Sequence, residues 1–173
     1  MLSAQRLIEL LQLEPLPVEG GHFRQTWVAA DGIPAGALPA RYGRSKPAGT
    51  AIYYLLTDDP DSFSALHRLP TDEVYHFYLG DPVEQWLLHE EGTVERIVLG
   101  PDVEAGQRVQ HVAPRTAWQG ARLIAGGRFA LLGTTMAPGF DPGDYEPGER
   151  EALLVRYPHA AEIIGGLTRP ATA

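Results

Sequence analysis

Nineteen glycines and fifteen prolines punctuate this 173-residue chain, a composition that favours short strands joined by tight turns. Alternation then places the strands. VEGGHFRQTWVA leaves a Gly-Gly pair with His22, Arg24 and Thr26 on one face and Phe23, Gln25 and Trp27 on the other. AIYYLLT is rich in β-branched and aromatic residues. VEQWLLHE and VERIVLG flank a Glu91-Gly92 turn and read as a hairpin with Trp86, Leu88, Val94 and Val98 in the core. ARLIA and RFALLGTTMA form a second hairpin about Gly126-Gly127. Helical pieces close both ends. Ser3 caps a helix with the stripe Leu7, Ile8, Leu10 and Leu11, expected on the outside of a sheet, and the tail predicts helices over 149–156 and 158–165. Eight to ten strands with such ends predict an all-β sandwich or barrel. With 44% apolar residues, 1–173 suffices for one core and is short for two.

Several functional classes are excluded. A net charge of −8 with 14 scattered basic residues leaves no cationic footprint for nucleic acid. The absence of cysteine removes disulfides, thiolate zinc sites and thiol nucleophiles, and sets a cytoplasmic location as the expectation. No apolar run suggests a membrane partner, and MLSAQRLIELLQL, interrupted by Arg6 and Glu9, reads as neither signal peptide nor anchor. Neither glycine pair has phosphate-loop spacing, and Ser62, Ser64, His67 and Asp72 lack the Gly-x-Ser-x-Gly elbow of a hydrolase.

The chemistry concentrates in FSALHRLPTDEVYHFYLGDP, residues 63–82, where His67, Glu73 and His76 could share a metal or exchange a proton. Arg24 reads equally as an edge-strand charge or a pocket anion binder. The loop 31–49, carrying Arg41, Arg44 and Lys46, could close over a pocket. His22, His89, His111 and His159 have no carboxylate at ligand spacing and are assigned structural roles. Asp141, Asp144, Tyr145 and Glu146 lack calcium-loop spacing and read as a solvated loop.

His67-Arg68-Leu69, then Glu73, VYHFYL and Gly80 resemble the second half of the first cupin motif, with Asp61 and Leu69 departing from it. EGGHFRQTW, AIYYLL, HRLPTDEVYHFYLGDP, VAPRTAWQGA and APGFD, in order over nearly the whole chain, resemble an uncharacterised small-cupin family, a domain of unknown function. The resemblance implies a double-stranded β-helix, or jelly roll, and frequently a dimer. It also implies a metal set of three His and one Glu, of which this chain keeps His67 and Glu73. Leu69 stands for one imidazole and Gln119, after Pro114-Arg115-Thr116, for another. No cofactor is therefore expected beyond a weakly bound divalent metal. His76 would replace a ligand only if a bulge turned it inward, because alternation from Glu73 puts Tyr75 and Phe77 on the same face and His76 opposite.

What remains is a pocket for a small-molecule ligand. The chain is also similar, at the level of fold, to metal-independent dTDP-sugar 3,5-epimerases, which implies an isomerase or epimerase of a sugar nucleotide or keto acid. On that reading His67 is the base, Glu73 fixes its tautomer, and Tyr75 or Tyr53 is the acid, with Arg24, His76, Phe77, Trp118 and Gln119 as ligand contacts. A non-catalytic binder is the alternative, and a metal-dependent oxygenase a second. Phe23, Trp27 and Leu38 are the residues expected to support a homodimer.

Overall fold

The computed structural model describes residues 2–169. A first helix, α1 (Ala4–Leu11), precedes the strands β1 (Glu14–Pro15), β2 (His22–Val28), β3 (Gly32–Ile33), β4 (Lys46–Pro47), β5 (Thr50–Thr57), β6 (Phe63–Arg68) and β7 (Glu73–Gly80). They continue as β8 (Val83–Leu88), β9 (Val94–Leu99), β10 (Gln110–Ala113), β11 (Trp118–Leu123), β12 (Phe129–Met136) and β13 (Glu146–Pro147), and α2 (Arg150–Arg156) and α3 (Ala161–Gly166) follow. Two antiparallel sheets, in the orders β1-β2-β5-β12-β7-β10 and β13-β6-β11-β8-β9, face each other as a jelly roll. The all-β reading and the helical ends expected from the sequence are both present.

Three apolar layers result. Tyr54, Leu56, Tyr75, Val83, Leu87, Ile97, Leu99 and Leu132 fill the space between the sheets. On the outer face of the first sheet, Leu7 of α1 packs with Leu13, Leu55, Phe129 and Leu131. The α1 N-terminus is capped by Ser3, whose Oγ accepts from the Arg6 amide at 3.2 Å. On the outer face of the second sheet, Leu153, Tyr157, Ile164 and Leu167 cover Leu66, Leu88 and Trp118.

That outer layer explains a difference from the sequence reading of the β8–β9 hairpin. Leu88, with Trp86 and Val94 beside it, packs under the tail helices, while Val98 is half-buried outside that cluster. The barrel interior takes the opposite phase, Val83, Leu87, Ile97 and Leu99. A sheet buried on both faces carries apolar residues in both phases, so alternation alone does not select the inner one.

Two glycines shape the approach to the interior. Gly80 has φ +107°, and a Cβ there would lie 2.3 Å from the Phe129 carbonyl oxygen, so the β7–β8 turn requires glycine. Gly20, at φ +105°, has the same constraint against the Phe63 carbonyl, and its own carbonyl accepts from the buried Tyr54 hydroxyl at 3.0 Å. The segment before it is thereby held against β6.

Candidate functional site

A β-bulge in β6 builds the site. Gln119 pairs with His67 and Ala121 with Ser64, so β6 spends two residues, Ala65 and Leu66, opposite the single Gly120. The extra residue resets the alternation. Leu66 points out under the tail helices, the buried Ser64 reaches Glu19, and His67 meets Gln119 inside the barrel. The bulge also frees backbone groups. The Ala65 amide donates to the Glu19 carbonyl at 2.9 Å, and the Ala65 carbonyl accepts from His67 Nδ1 at 2.8 Å.

That second bond fixes the imidazole. With Nδ1 protonated toward Ala65, Nε2 is left as an acceptor, and Gln119 Nε2 lies 3.2 Å away. The same amide donates to Glu73 Oε2 at 2.9 Å. Gln119 therefore uses its two N–H groups to join imidazole to carboxylate, an orientation set by its partners, since reversing it would place its carbonyl against Glu73. All three side chains are buried. Burial pushes the Glu73 carboxyl above its ordinary range; the nearby His67 and hydrogen bonds from Thr134 and Gln119 pull it back in part. The expectation that Glu73 holds the His67 tautomer is corrected, because the Ala65 carbonyl does so.

In front of this triad lies a cavity of about 840 Å³. Phe23, Ile52, Leu69, Met136 and Phe140 give it apolar walls, and Glu19, His67, Glu73, Thr134 and Tyr145 its polar groups. Tyr145 stacks on His67, with ring centroids 4.9 Å apart and planes 21° from parallel. Its hydroxyl is buried without a hydrogen-bond partner, and burial beside Glu19 raises its pKa well beyond the usual phenol range. It stays a donor throughout the physiological pH range. Glu19 accepts from Ser64 Oγ at 2.8 Å.

Ion pairs hold Tyr145 in place. Asp141 accepts from Arg44 at 2.8 Å, Asp144 pairs with Lys46, and Glu146 takes both nitrogens of the Arg68 fork at 2.7 and 3.0 Å. The solvated loop expected at Asp141, Asp144, Tyr145 and Glu146 is thus a strap tied to the barrel. Arg44 and Lys46 of the loop expected to close over the pocket instead anchor the segment that does.

The structure brings only some of the predicted site residues together. His67 and Glu73 line the cavity with Gln119 behind them, while Tyr75 and Phe77 point inward from the same strand but into the core layer. Burial, with Glu73 beside it, raises the Tyr75 phenol strongly. Tyr53 does not reach the cavity: it lies on the outer face with α1 and meets Tyr78 edge-on, because β5 turns Ile52 and Tyr54 inward. His76 faces outward, bonded to Thr135 Oγ1 at 3.2 Å and stacked on Tyr78. Trp118 packs under α2 and α3, with the Arg68 guanidinium over its ring. Arg24 borders the cavity at an exposed rim, but its guanidinium donates to the Leu11 carbonyl at 2.9 Å, at the end of α1. Glu19 and Tyr145 were missed as site residues; the turn glycines beside Glu19 were the one available signal, and Tyr145 had none.

The fold implies a metal, and the donor set does not fit a tight centre. Leu69 puts an aliphatic chain on the cavity wall, and Gln119 directs N–H donors, not its carbonyl, at His67 and Glu73. Its Oε1 is buried and without a partner. No three His, Asp or Glu side chains converge among the described residues.

Comparison with known proteins identifies the family and the fold. The family model described as Cupin superfamily (DUF985) matches residues 5–147. An X-ray structure of a Shewanella oneidensis protein is 31% identical, with 98% of this chain and 99% of that chain covered and a TM-score of 0.85. A hypothetical protein from Leishmania major is 29% identical over 98% and 100% of the two chains, at 0.86. Oxalate decarboxylase of Bacillus subtilis, a protein with Mn(II) centres, shares the fold alone, at 13% identity and 0.53 over 94% of this chain and 39% of that one. No curated protein matches the chain.

Proposed function

This chain belongs to the cupin superfamily, in the family designated DUF985, and on that footing we propose that it binds a small polar molecule inside the barrel. The observation that carries the reading is the cavity of about 840 Å³ in which Glu19, His67, Glu73 and the unpartnered Tyr145 hydroxyl converge on apolar walls. The His67–Gln119–Glu73 triad is already hydrogen-bonded, so the resting site is pre-ordered for recognition. A thermal-shift screen of sugars, polyols, keto acids and nucleotide sugars tests this, with Tyr145→Phe and His67→Asn expected to weaken any hit. A screen in which no compound raises the melting temperature refutes it.

Metal-independent isomerisation is a second reading, favoured by the stack of Tyr145 on His67. His67 Nε2, released from Gln119, would take the proton from a carbon next to a carbonyl. Tyr145, replacing Tyr75 and Tyr53 as the donor, would hydrogen-bond the enolate oxygen, and the imidazolium would return its proton to the carbon. Solvent deuterium exchange into a bound keto-sugar that disappears in His67→Asn supports this reading; equal exchange in the variant refutes it. Deployment as a homodimer in the cytoplasm is part of the same proposal. Trp27 and Val28 of β2 remain about half-exposed, whereas Phe23 turns inward and leaves the surface expected to pair. Light scattering that returns 18.9 kDa at every concentration would refute the dimer. No helix among the described residues is long and apolar enough to cross a membrane.

A further inference from the structure

The charge of the barrel cavity narrows its ligand class. Three carboxylates line it, those of the exposed Glu14, the half-buried Glu19 and the buried Glu73. All but one of the cations nearby lie outside its lining. Arg24 is bonded to the Leu11 carbonyl; Arg44, Lys46 and Arg68 are paired with the carboxylates of the strap. Arg169, behind the Glu19 segment, donates to the Val18, Glu19 and Asp61 carbonyls at 2.9, 3.3 and 3.0 Å. Among the described residues Arg24, at the exposed rim, is the one guanidinium or ammonium that lines the cavity, against three carboxylates.

Anion sites are built from Arg forks, lysines or convergent backbone N–H groups, and an anion brought against two buried or half-buried carboxylates is repelled in a medium of reduced dielectric. Hydroxyl groups are the opposite case. They donate to carboxylates, and they accept from Tyr145, whose hydroxyl is buried without a partner. The apolar faces of a sugar ring also suit the walls made by Phe23, Ile52, Met136 and Phe140.

We propose that the ligand of this cavity is a neutral polyhydroxylated compound, a free sugar or polyol, and not a phosphorylated, nucleotide-linked or carboxylic one. The proposal rests on the reading of the barrel as a small-polar-ligand site and excludes the sugar-nucleotide and keto-acid classes within it. Glu19 is the discriminating residue, with its carboxylate positioned by Ser64 at the cavity wall.

The test is a melting-temperature and calorimetric comparison of the full chain against matched pairs. Free pentoses, hexoses and hexitols are set against their phosphates, their uridine or thymidine diphosphate adducts and the corresponding sugar acids. The expected result is that the neutral member of a binding pair is held at least tenfold more tightly than its anionic counterpart. Glu19→Gln, checked for an unchanged far-ultraviolet spectrum, should narrow that ratio at least fivefold. An anionic member that binds as well as its neutral partner overturns the proposal, with or without a folded Glu19 variant. Saturable binding of amines or other non-hydroxylated polar compounds, with none of the sugars, overturns it while leaving the binding-site reading intact. No binding by any class overturns both.

Discussion

Replacing Asp144 by Asn would strand the Lys46 ammonium in the protein interior. The two side chains are 0% and 4% exposed, the Tyr42 ring lies 5.9 Å from Nζ, and the one other carboxylate acting on the ammonium, Asp141, is already bonded to Arg44. Removing one partner of a buried pair costs about 3–5 kcal/mol, because the desolvated charge that remains has no compensation. For a domain of this size that corresponds to a fall in melting temperature of roughly 6–20 °C. Lys46→Met should cost a similar amount by leaving the carboxylate alone. The double variant K46M/D144N removes both charges and should recover to within about 1–2 kcal/mol of the parent, since a buried pair contributes little beyond its own desolvation cost. Urea denaturation of the four proteins closes the cycle. Hydrogen exchange reports the local consequence: in D144N the Asp144 and Tyr145 amides, bonded to Asp141 and Pro142 at 2.8 and 3.3 Å, should exchange faster as the strap over His67 loosens. Single-variant losses below about 1 kcal/mol, the range of exposed pairs, would refute the buried strap.

Three further outcomes are expected. Purified protein should carry no stoichiometric transition metal, whereas L69H/Q119H, which restores two imidazoles beside His67 and Glu73, should retain about one zinc or manganese per chain in elemental analysis; equal metal content in both would refute the donor-set argument. Glu73 binds its proton more readily folded than unfolded, so its contribution is fully present below the unfolded value and is lost as pH rises through the raised folded one. Relative to the parent, Glu73→Gln should therefore gain stability with rising pH, and a gap in urea midpoints that stays constant between about pH 4 and 8 would contradict this. Thr116, a β-branched residue at φ +73°, occupies a left-handed turn that costs about 1–2 kcal/mol for a non-glycine residue, so Thr116→Gly should stabilise by about 0.5–1 kcal/mol after the added chain entropy; a loss would show that its side chain matters more than the backbone.

The architecture was legible because it depends on punctuation and alternation. Turn glycines and β-rich runs located the long strands, and the inward phase of Glu73, Tyr75 and Phe77 followed from counting by two. The count failed where the chain does not keep it. FSALHR contains no glycine to announce a bulge, yet two of its residues occupy the width of one, and that slip brings both Ser64 and His67 to the interior. Tyr53 and Trp118 failed for a different reason. Both sheets carry apolar cover on their outer faces, so aromatic residues are buried there too, Trp118 almost wholly and Tyr53 in part. Apart from the turn glycines beside Glu19, nothing local pointed to Tyr145 and Glu19, since each is placed by contacts with residues at least 45 positions away, Tyr145 through the ion pairs that tie its loop to β4 and β6 and Glu19 through Ser64.

Gln119 shows why losing two imidazoles need not leave a broken site. A cation at the centre of a His/Glu set does two things: it neutralises the carboxylate and takes up the imidazole lone pair. A primary amide at the same position supplies two N–H donors, one for His67 Nε2 and one for Glu73 Oε2, and so satisfies both groups without a charge. The exchange alters the electrostatics. Burial raises the Glu73 carboxyl, and Glu14 and Glu19 line the same cavity, a set of acidic groups that favours hydroxyl-bearing ligands over anions. Gln119→Glu would then set a second carboxylate beside Glu73 and raise both pKa values, while Gln119→Leu would leave His67 Nε2 and Glu73 each without its donor. Both variants should be less stable than the parent, and a parent-like Gln119→Leu would show that the amide bridge contributes nothing to holding the floor of the barrel.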